Sequence, residues 1–571
     1  MEQRIPVDTG AEAFLELLNA NGVDYIFLNP GTDTYTVQEA VSKFKTLGKR
    51  TPEVILSLHE SVAMAAAHGY FMVSGKPQVV LVHADLGPQQ VGGALHNAQR
   101  GRAGVLLCSG RVPSSIDKDR YNQVHWLQEQ FDQAGVVRGY VKWDYELRSS
   151  ENMHHVVQRA FQMASGEPCG PVYLCLSPDV LGEKISSVFI PDVARYAAAS
   201  TPQADTALLA EVAVMMTGAR NPLIITGYSG RHPQSVAPLV ELAESVSARV
   251  ISAPPRMNFP STHPLFSGFD ANPYIAAADF ILIIDQDIPY IPSIARPGPG
   301  ARIVHIDIDP VKEKIPLWGF PVDILLQADT GKAFPVLRQM VHQQVTPEYQ
   351  DQIQSRFHQL QSEHRKMKEE WHRMAVTGAG QKPIPPEWLC YCINEIIDEE
   401  TIVLGEALTN MGSVLRQINR TRPGTYFQSG GSNLGWGLGA ALGARLASPD
   451  KTVVSIVGDG SFIFGCPTAA LWMAHTYHAP FLCIILNNMR YNAPRTALRK
   501  ASGGTSFSEK TGLWIGTDIK PPPDYAAIAR ACFAWGQTVD EPSDLLPALK
   551  TAFDQVRRGK TAVLDVRIDC P

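Results

Sequence analysis

The run Val453-Val454-Ser455-Ile456-Val457-Gly458-Asp459-Gly460-Ser461 carries the clearest chemical signal in the chain. Its first part reads as a buried, largely apolar strand, and its last part is a polar turn. In open parallel sheets, ligands bind beyond the carboxyl ends of the strands. Glycines in such a turn let backbone N–H groups approach an anion, and the start of the following helix favours negative charge. Asp459 can then hold a cation beside that anion. The next apolar run, Phe481 to Leu486, ends in Asn487-Asn488 at the same sheet edge. One carboxylate, one amide oxygen, one backbone carbonyl and phosphate oxygens make up a Mg²⁺ shell. A lone Gly-Asp-Gly reads as an ordinary turn. Followed by Asn-Asn, with each motif closing an apolar strand, it points to a metal–diphosphate site.

Two further groups stand at strand ends in the first third. The strand Val54 to Leu58 is followed by His59-Glu60-Ser61 and a helix of small residues, Ala63 to Gly69. A glutamate at a helix start is ordinarily a favourable dipole contact. In Val82-His83-Ala84-Asp85-Leu86-Gly87 a histidine follows a strand. Imidazole suits proton transfer near neutral pH, and a structural histidine at a strand end fits the same pattern. The stretch Met489 to Asp524 is rich in Gly and Pro and basic, with Arg490, Arg495, Arg499, Lys500, Lys510 and Lys520 against Glu509, Asp518 and Asp524. It reads as a long loop, either a lid over an anionic substrate or a solvated charged segment.

The elements that position these groups are short apolar strands alternating with helices. Examples are Val79 to Val82, Val105 to Cys108, Val172 to Leu176, Leu223 to Thr226 and Phe280 to Ile284. Continuously apolar strands belong to parallel sheets covered on both faces, so the fold class is α/β, with parallel sheets flanked by helices. A length of 571 residues suggests three or four domains. From Gly182 to Gln203 periodicity is lost. From Pro347 to Met374 a charged helix is expected, followed by Gly378, Gly380, Pro383, Pro385 and Pro386. These seams divide the chain into 1–185, 200–345, a linker helix and loop at 346–384, and 385–571. The first and last units resemble each other, each opening with an amphipathic helix that runs into a strand and a glycine-bearing turn. Similarity common to all α/β domains accounts for that pattern equally well.

Composition excludes several classes. With 45% hydrophobic and 19% charged residues, the chain is neither disordered, collagenous nor a coiled coil. Lys plus Arg is 50 against 56 Asp plus Glu, which argues against a nucleic-acid-coating protein. Nine cysteines without a CxxC pair suggest reduced, buried thiols. The start, Met1 to Asp8, lacks the cationic and apolar pattern of a signal peptide. No apolar stretch approaches membrane-spanning length. A cytoplasmic location is expected.

The segment from Gly458-Asp459-Gly460 to Asn487-Asn488 resembles the cofactor motif of the thiamine diphosphate (ThDP) enzymes of the acetolactate synthase, benzoylformate decarboxylase and pyruvate decarboxylase superfamily. The stretch Gly430-Gly431-Ser432-Asn433-Leu434-Gly435-Trp436-Gly437 matches as well, and Gly69-Tyr70-Phe71-Met72-Val73-Ser74-Gly75-Lys76-Pro77 looks like that family's "GYARATGKP" segment. The resemblance covers essentially the whole chain. It implies a pyrimidine-binding first domain, a central domain and a diphosphate-binding last domain. It assigns Mg²⁺ to Asp459, Asn488 and the main-chain carbonyl of Arg490. Thr409, Asn410, Ser432, Gly458, Gly460 and Ser461 fall at the cofactor, and Leu434 where an aliphatic residue props it into a bent shape. Glu60 becomes the glutamate that serves the aminopyrimidine. His83 falls where benzoylformate decarboxylase has a proton-shuttling histidine, and Thr32 where that enzyme has a substrate-contacting serine.

The implied activity is that of a C–C bond lyase or carboligase on a 2-oxo acid. Decarboxylation would be followed by protonation to an aldehyde or by ligation to a second carbonyl compound, giving a 2-hydroxyketone. The implied assembly is a homodimer or homotetramer with active sites between subunits, without nucleic acid or membrane. The pattern also departs from the family: a second, middle-domain histidine is missing, because the corresponding stretch reads Asp285-Gln286-Asp287-Ile288-Pro289-Tyr290-Ile291-Pro292. In some relatives the middle domain binds FAD. Here the strand-turn from Asn221 to Gly227 lacks GxGxxG, so FAD is disfavoured. The chain ends soon after a strand at Thr561 to Ile568, which disfavours an acyl-CoA substrate. Acetolactate synthase proper is the alternative enzyme. A non-catalytic subunit of this fold is the other alternative, against which the joint presence of Glu60, Asp459 and Asn488 argues.

Overall fold

The computed structural model describes residues 2–113 and 127–569. Cys570 lies outside them, and the eight described cysteines are all free thiols. Three parallel sheets organise the chain. The first runs, edge to edge, through Glu53–Leu56, Tyr25–Leu28, Gln78–Val82, Val105–Gly110, Val172–Leu176 and Asp144–Leu147. The last runs through Tyr426–Phe427, Ile402–Glu406, Val453–Gly458, Leu482–Asn487, Ala562–Arg567 and Trp535–Val539. Numbered along the chain within its own sheet, each has the order 2-1-3-4-6-5. This shared, non-trivial order makes the likeness of the two units topological rather than merely compositional. The middle sheet has the order 2-1-3-4-5, from Arg249–Ser252 at one edge through Pro222–Thr226, Phe280–Ile284 and Arg302–Asp307 to Ile324–Gln327. Gln78–Val82, Val105–Gly110 and Phe280–Ile284 are buried at every position, as expected of strands sandwiched between helical layers.

The first and last units are joined by corresponding helices, each following its unit's second strand. Glu60–Ser74 packs against Trp436–Ala447. The small residues of both helices are required by how closely the backbones approach. A Cβ on Gly69 would lie 2.2 Å from the Ala440 carbonyl oxygen, and one on Gly443 only 1.8 Å from that of Ala66. Trp436 anchors the crossing, its indole Nε1–H donating to Nδ1 of the fully buried His68 at 3.1 Å. Burial pushes the His68 imidazole down to about 3, so it stays neutral.

Two expectations need correction. The segment from Gly182 to Gln203 is not merely a connector, because Ser187–Ile190 pairs antiparallel with the N-terminal strand Gln3–Pro6. These strands are only four residues long: Gln3–Pro6 is mostly exposed, and Ser187–Ile190 carries an apolar run of just three residues, Val188 to Ile190. The stretch from Met489 to Asp524 is not one long loop: helices Asn492–Ser502 and Phe507–Thr511 occupy much of it. Arg495 is buried there, paired with Asp518 at 2.8 Å, donating to Thr517 at 2.7 Å and stacked over Trp514. The basic residues suggested a lid for an anion, but this arginine is engaged within the segment itself. The charged linker is a helix, Pro347–Thr377, whose Tyr349, Ile353 and Leu360 seat it on the middle unit.

Candidate active site

Strand register brings the motifs of the last unit together. Gly458 lies level with Leu486, and Glu406 with Val457. Asp459, Asn488 and the turn after Glu406 therefore emerge at one carboxyl edge. A cavity of about 320 Å³ opens there, large enough for part of a cofactor. Thr409, Asn410, Ser432, Leu434, Gly458, Asp459, Gly460, Ser461, Asn488 and Arg490 all line it. Every cofactor-binding and metal position read from the last third of the sequence thus falls on one surface.

The donor set is unsatisfied in a specific way. Asp459 Oδ2, Ser461 Oγ and Asn410 Oδ1 are buried without a hydrogen-bond partner. Such atoms cost about 1–3 kcal/mol each when left alone. A cation and an anion side by side would satisfy an acceptor and a hydroxyl donor on the same wall. Burial pushes the Asp459 carboxyl up to about 6, against backbone N–H groups of Gly460, Arg490 and Met489 that pull it down. A divalent cation would reverse that burial effect. Asn488 Oδ1 accepts the Arg490 N–H at 3.2 Å, which fixes the turn that carries the Arg490 carbonyl. The residues present therefore fit Mg²⁺ and a diphosphate. Gly460 is needed for space: a Cβ there would lie 2.4 Å from the Tyr491 ring.

Leu434 is half-buried at the cavity wall and is held from both sides. Asn97, from the first unit, donates to the Asn433 carbonyl at 2.9 Å and accepts the Asn433 N–H at 3.0 Å. Glu406 closes the other side. Its carboxyl accepts backbone N–H groups from Gly435 at 2.6 Å, Trp436 at 3.1 Å and Gly437 at 2.7 Å. One side chain thus satisfies three unpaired donors of a helix start. The sequence reading missed Asn97, Glu406, Leu408 and Tyr491. A carboxylate ending an otherwise apolar strand, Ile402–Glu406, was the one available signal.

Glu406 carries a stability prediction. Burial pushes its carboxyl up to about 7 in spite of the three donors. Its folded value lies above its unfolded value of about 4.3, so the folded chain binds more protons between the two. Its contribution is fully present below the unfolded value and is lost as pH rises towards 7. Glu406→Gln should cost about 1–3 kcal/mol, because an amide NH₂ would face a backbone N–H. The variant should also lose part of the wild-type fall in Tm between about pH 5 and about pH 8. Calorimetric melts at both pH values check this, and an unchanged pH dependence would speak against it.

Glu60, His83 and Thr32 lie elsewhere. Glu60 is the first residue of its helix, half-buried, and close enough to Cys466 for its charge to act on that thiol. It does not line the cavity of its own chain. His83 follows Gln78–Val82, the third strand of the first unit, just as Asp459 follows the third strand of the last. Its imidazole is bonded to Asp33, and its pKa is raised chiefly by that bond. Thr32 is exposed beside it.

Comparison with known proteins fits this geometry. Residues 8–136 match the family described as "Thiamine pyrophosphate enzyme, N-terminal TPP binding domain". Residues 209–334 match its central domain and 409–566 its C-terminal TPP binding domain. The chain belongs to the ThDP-dependent enzyme superfamily. It is 27% identical to benzoylformate decarboxylase of Pseudomonas aeruginosa over 533 residues, 91% of each chain. It is 24% identical to the acetolactate synthase isozyme 3 large subunit of Escherichia coli, across 98% of this chain and 95% of that one. Its fold matches the 4-hydroxybenzoylformate decarboxylase of Rhodococcus jostii RHA1 with a TM-score of 0.78 at 24% identity, covering 99% of both chains. Among the described residues no helix is long and apolar enough to cross a membrane.

Proposed function

We propose that this chain is a ThDP- and Mg²⁺-dependent enzyme that cleaves the bond between the carboxylate and the carbonyl carbon of a 2-oxo acid. We further propose that it delivers the acyl unit to a proton or to a second carbonyl compound. The observation that carries the reading is the cavity at the carboxyl edge of the last sheet, with three unpartnered buried polar atoms on its wall. Asp459, Asn488 and the Arg490 carbonyl would hold the metal. Thr409, Asn410, Ser432, Gly458, Gly460 and Ser461 would hold the diphosphate, and Leu434 would prop the cofactor. ThDP, when bound, supplies the electron sink for the carboxylate's departure. Since Glu60 does not reach its own chain's cavity, it would serve that of a second copy, in a homodimer or homotetramer. Leu58, Leu408 and Phe464 are half-exposed beside these groups, apolar surface suited to such a partner.

FAD is left out of this reading. Asp285 and Asp307 stand at the carboxyl ends of the middle sheet, where a dinucleotide would place its phosphates. Arg102 and Lys312 are already engaged with Asp287 and Asp307. A carboxylate-lined edge with its cations committed does not suit a diphosphate.

His83 decides between the two products. Its partner in proton delivery from the middle unit is missing, so protonation should be the slower branch and ligation should dominate when an acceptor is present. His83→Ala should slow aldehyde formation by about 10²-fold and affect ligation less. The check is the product ratio by chromatography at fixed donor and acceptor. Aldehyde alone at saturating acceptor, or a ratio unchanged in His83→Ala, would contradict the assignment.

A further inference from the structure

We propose that Asp33 is the positioning residue of His83, its carboxylate fixing the imidazole's tautomer and orientation within a slot that Gly31 and Gly110 keep open. The inference rests on the reading of His83 given above. Register sets the three elements side by side: Leu28 lies level with Leu81, and Val82 with Ser109. The turn after Tyr25–Leu28, the residue after Gln78–Val82 and the end of Val105–Gly110 therefore share one sheet edge.

Asp33 is only 7% exposed, and its Oδ1 is bonded to His83 Nδ1. Its Oδ2 is buried without a partner. The space for this pair is made by two glycines whose backbone does not require glycine, since neither has a positive φ. A Cβ on Gly31 would lie 2.0 Å from His83 Nδ1 and 2.5 Å from Asp33 Oδ1. A Cβ on Gly110 would lie 1.6 Å from Asp33 Oδ2. Any side chain at either position would break the pair. The two glycines are explained by the ion pair and not by a turn.

The second imidazole nitrogen is also occupied, with Gln128 Nε2 2.9 Å from His83 Nε2. With that amide donating, the neutral ring keeps its proton on Nδ1 and donates it to Asp33. In this arrangement the Nε2 lone pair accepts the Gln128 amide, so that bond must open before Nε2 takes or returns a proton. A buried carboxylate behind an imidazole fixes tautomer and orientation and favours the charged ring. The charged groups acting on His83 are Asp33, Glu60 and Asp85, with the bond to Asp33 the largest influence. Removing the Asp33 charge should therefore move the histidine's titration to lower pH. It should also narrow from above the pH range in which His83 can donate.

The test is Asp33→Asn, which keeps size and removes charge, with Asp33→Ala as a second variant that empties the slot. His83 is titrated by NMR in histidine-labelled protein, its signal assigned by its loss in His83→Ala. The expected result is a titration at lower pH in both variants. The alkaline limb of aldehyde formation should shift in the same direction, with kcat for that branch about 10²-fold lower and KM little changed. A His83 titration at the wild-type position in either variant overturns the proposal. A shifted titration with an unmoved alkaline limb overturns the positioning role. If His83→Ala itself leaves the product ratio untouched, the role of His83 fails and the role of Asp33 fails with it. That outcome differs from one in which His83 matters and Asp33 does not.

Discussion

Glu60→Gln should bind ThDP like the wild type and lose turnover by about 10²-fold or more, the scale of lost general acid–base help. The amide keeps the shape and reach of the carboxyl but has no acid to offer. The variant should fold, because the helix Glu60–Ser74 is held by its crossing with Trp436–Ala447 and capped by His59, which accepts the Ser61 N–H. Because Glu60 does not line its own chain's cavity, its effect should also complement in trans. Co-expressed Glu60→Gln and Asp459→Ala chains would form mixed dimers with one intact site, built from the good half of each. Steady-state rates of the two variants alone and together decide the point. Near-wild-type turnover of Glu60→Gln, or no recovery in the mixture, would remove the glutamate from the reaction or from the interface.

Asp459→Ala should abolish Mg²⁺-dependent retention of ThDP. Asp459 carries the only carboxylate among the three proposed metal ligands, and a diphosphate left without its cation would lie against a buried wall. The substitution removes an unpartnered Oδ2 but also the Oδ1 that accepts the Gly460 N–H at 2.9 Å, so melting of the cofactor-free variant is measured alongside. That separates loss of cofactor from loss of fold. Gel filtration with Mg²⁺ and ThDP, followed by quantification of the ThDP carried with the protein, provides the readout. Retention at the wild-type level would move the metal away from the Gly-Asp-Gly turn.

The last-third half of the site was legible because its chemistry is local. Gly458 to Ser461 and Asn487-Asn488 each close a strand that is buried throughout, so the period and the turn residues identify both strand and edge. The strands Val172–Leu176 and Phe280–Ile284 were legible for the same reason. What escaped were contacts between distant segments. Asn97 grips Asn433 across 336 positions, and an asparagine in a helix gives no sign of such a partner. Asp33 lies next to Thr32, which the resemblance singled out, but only the strand register turns its carboxylate towards His83. Short Ser187–Ile190 offers only the three apolar residues Val188 to Ile190 to betray it. Asn492–Ser502 was masked by the glycines and prolines around it, although its arginines are held by Asp518 and Trp514 within the same segment.

The central claim is that the cavity at the carboxyl edge of the last sheet is a Mg²⁺–ThDP site. Calorimetric titration of ThDP into the wild-type chain, with saturating Mg²⁺ and again with a chelator, tests it most directly. The account predicts saturable binding of one ThDP per chain with the metal and loss of that binding without it. Absence of binding in the presence of Mg²⁺, or equal binding in the chelator, would contradict it.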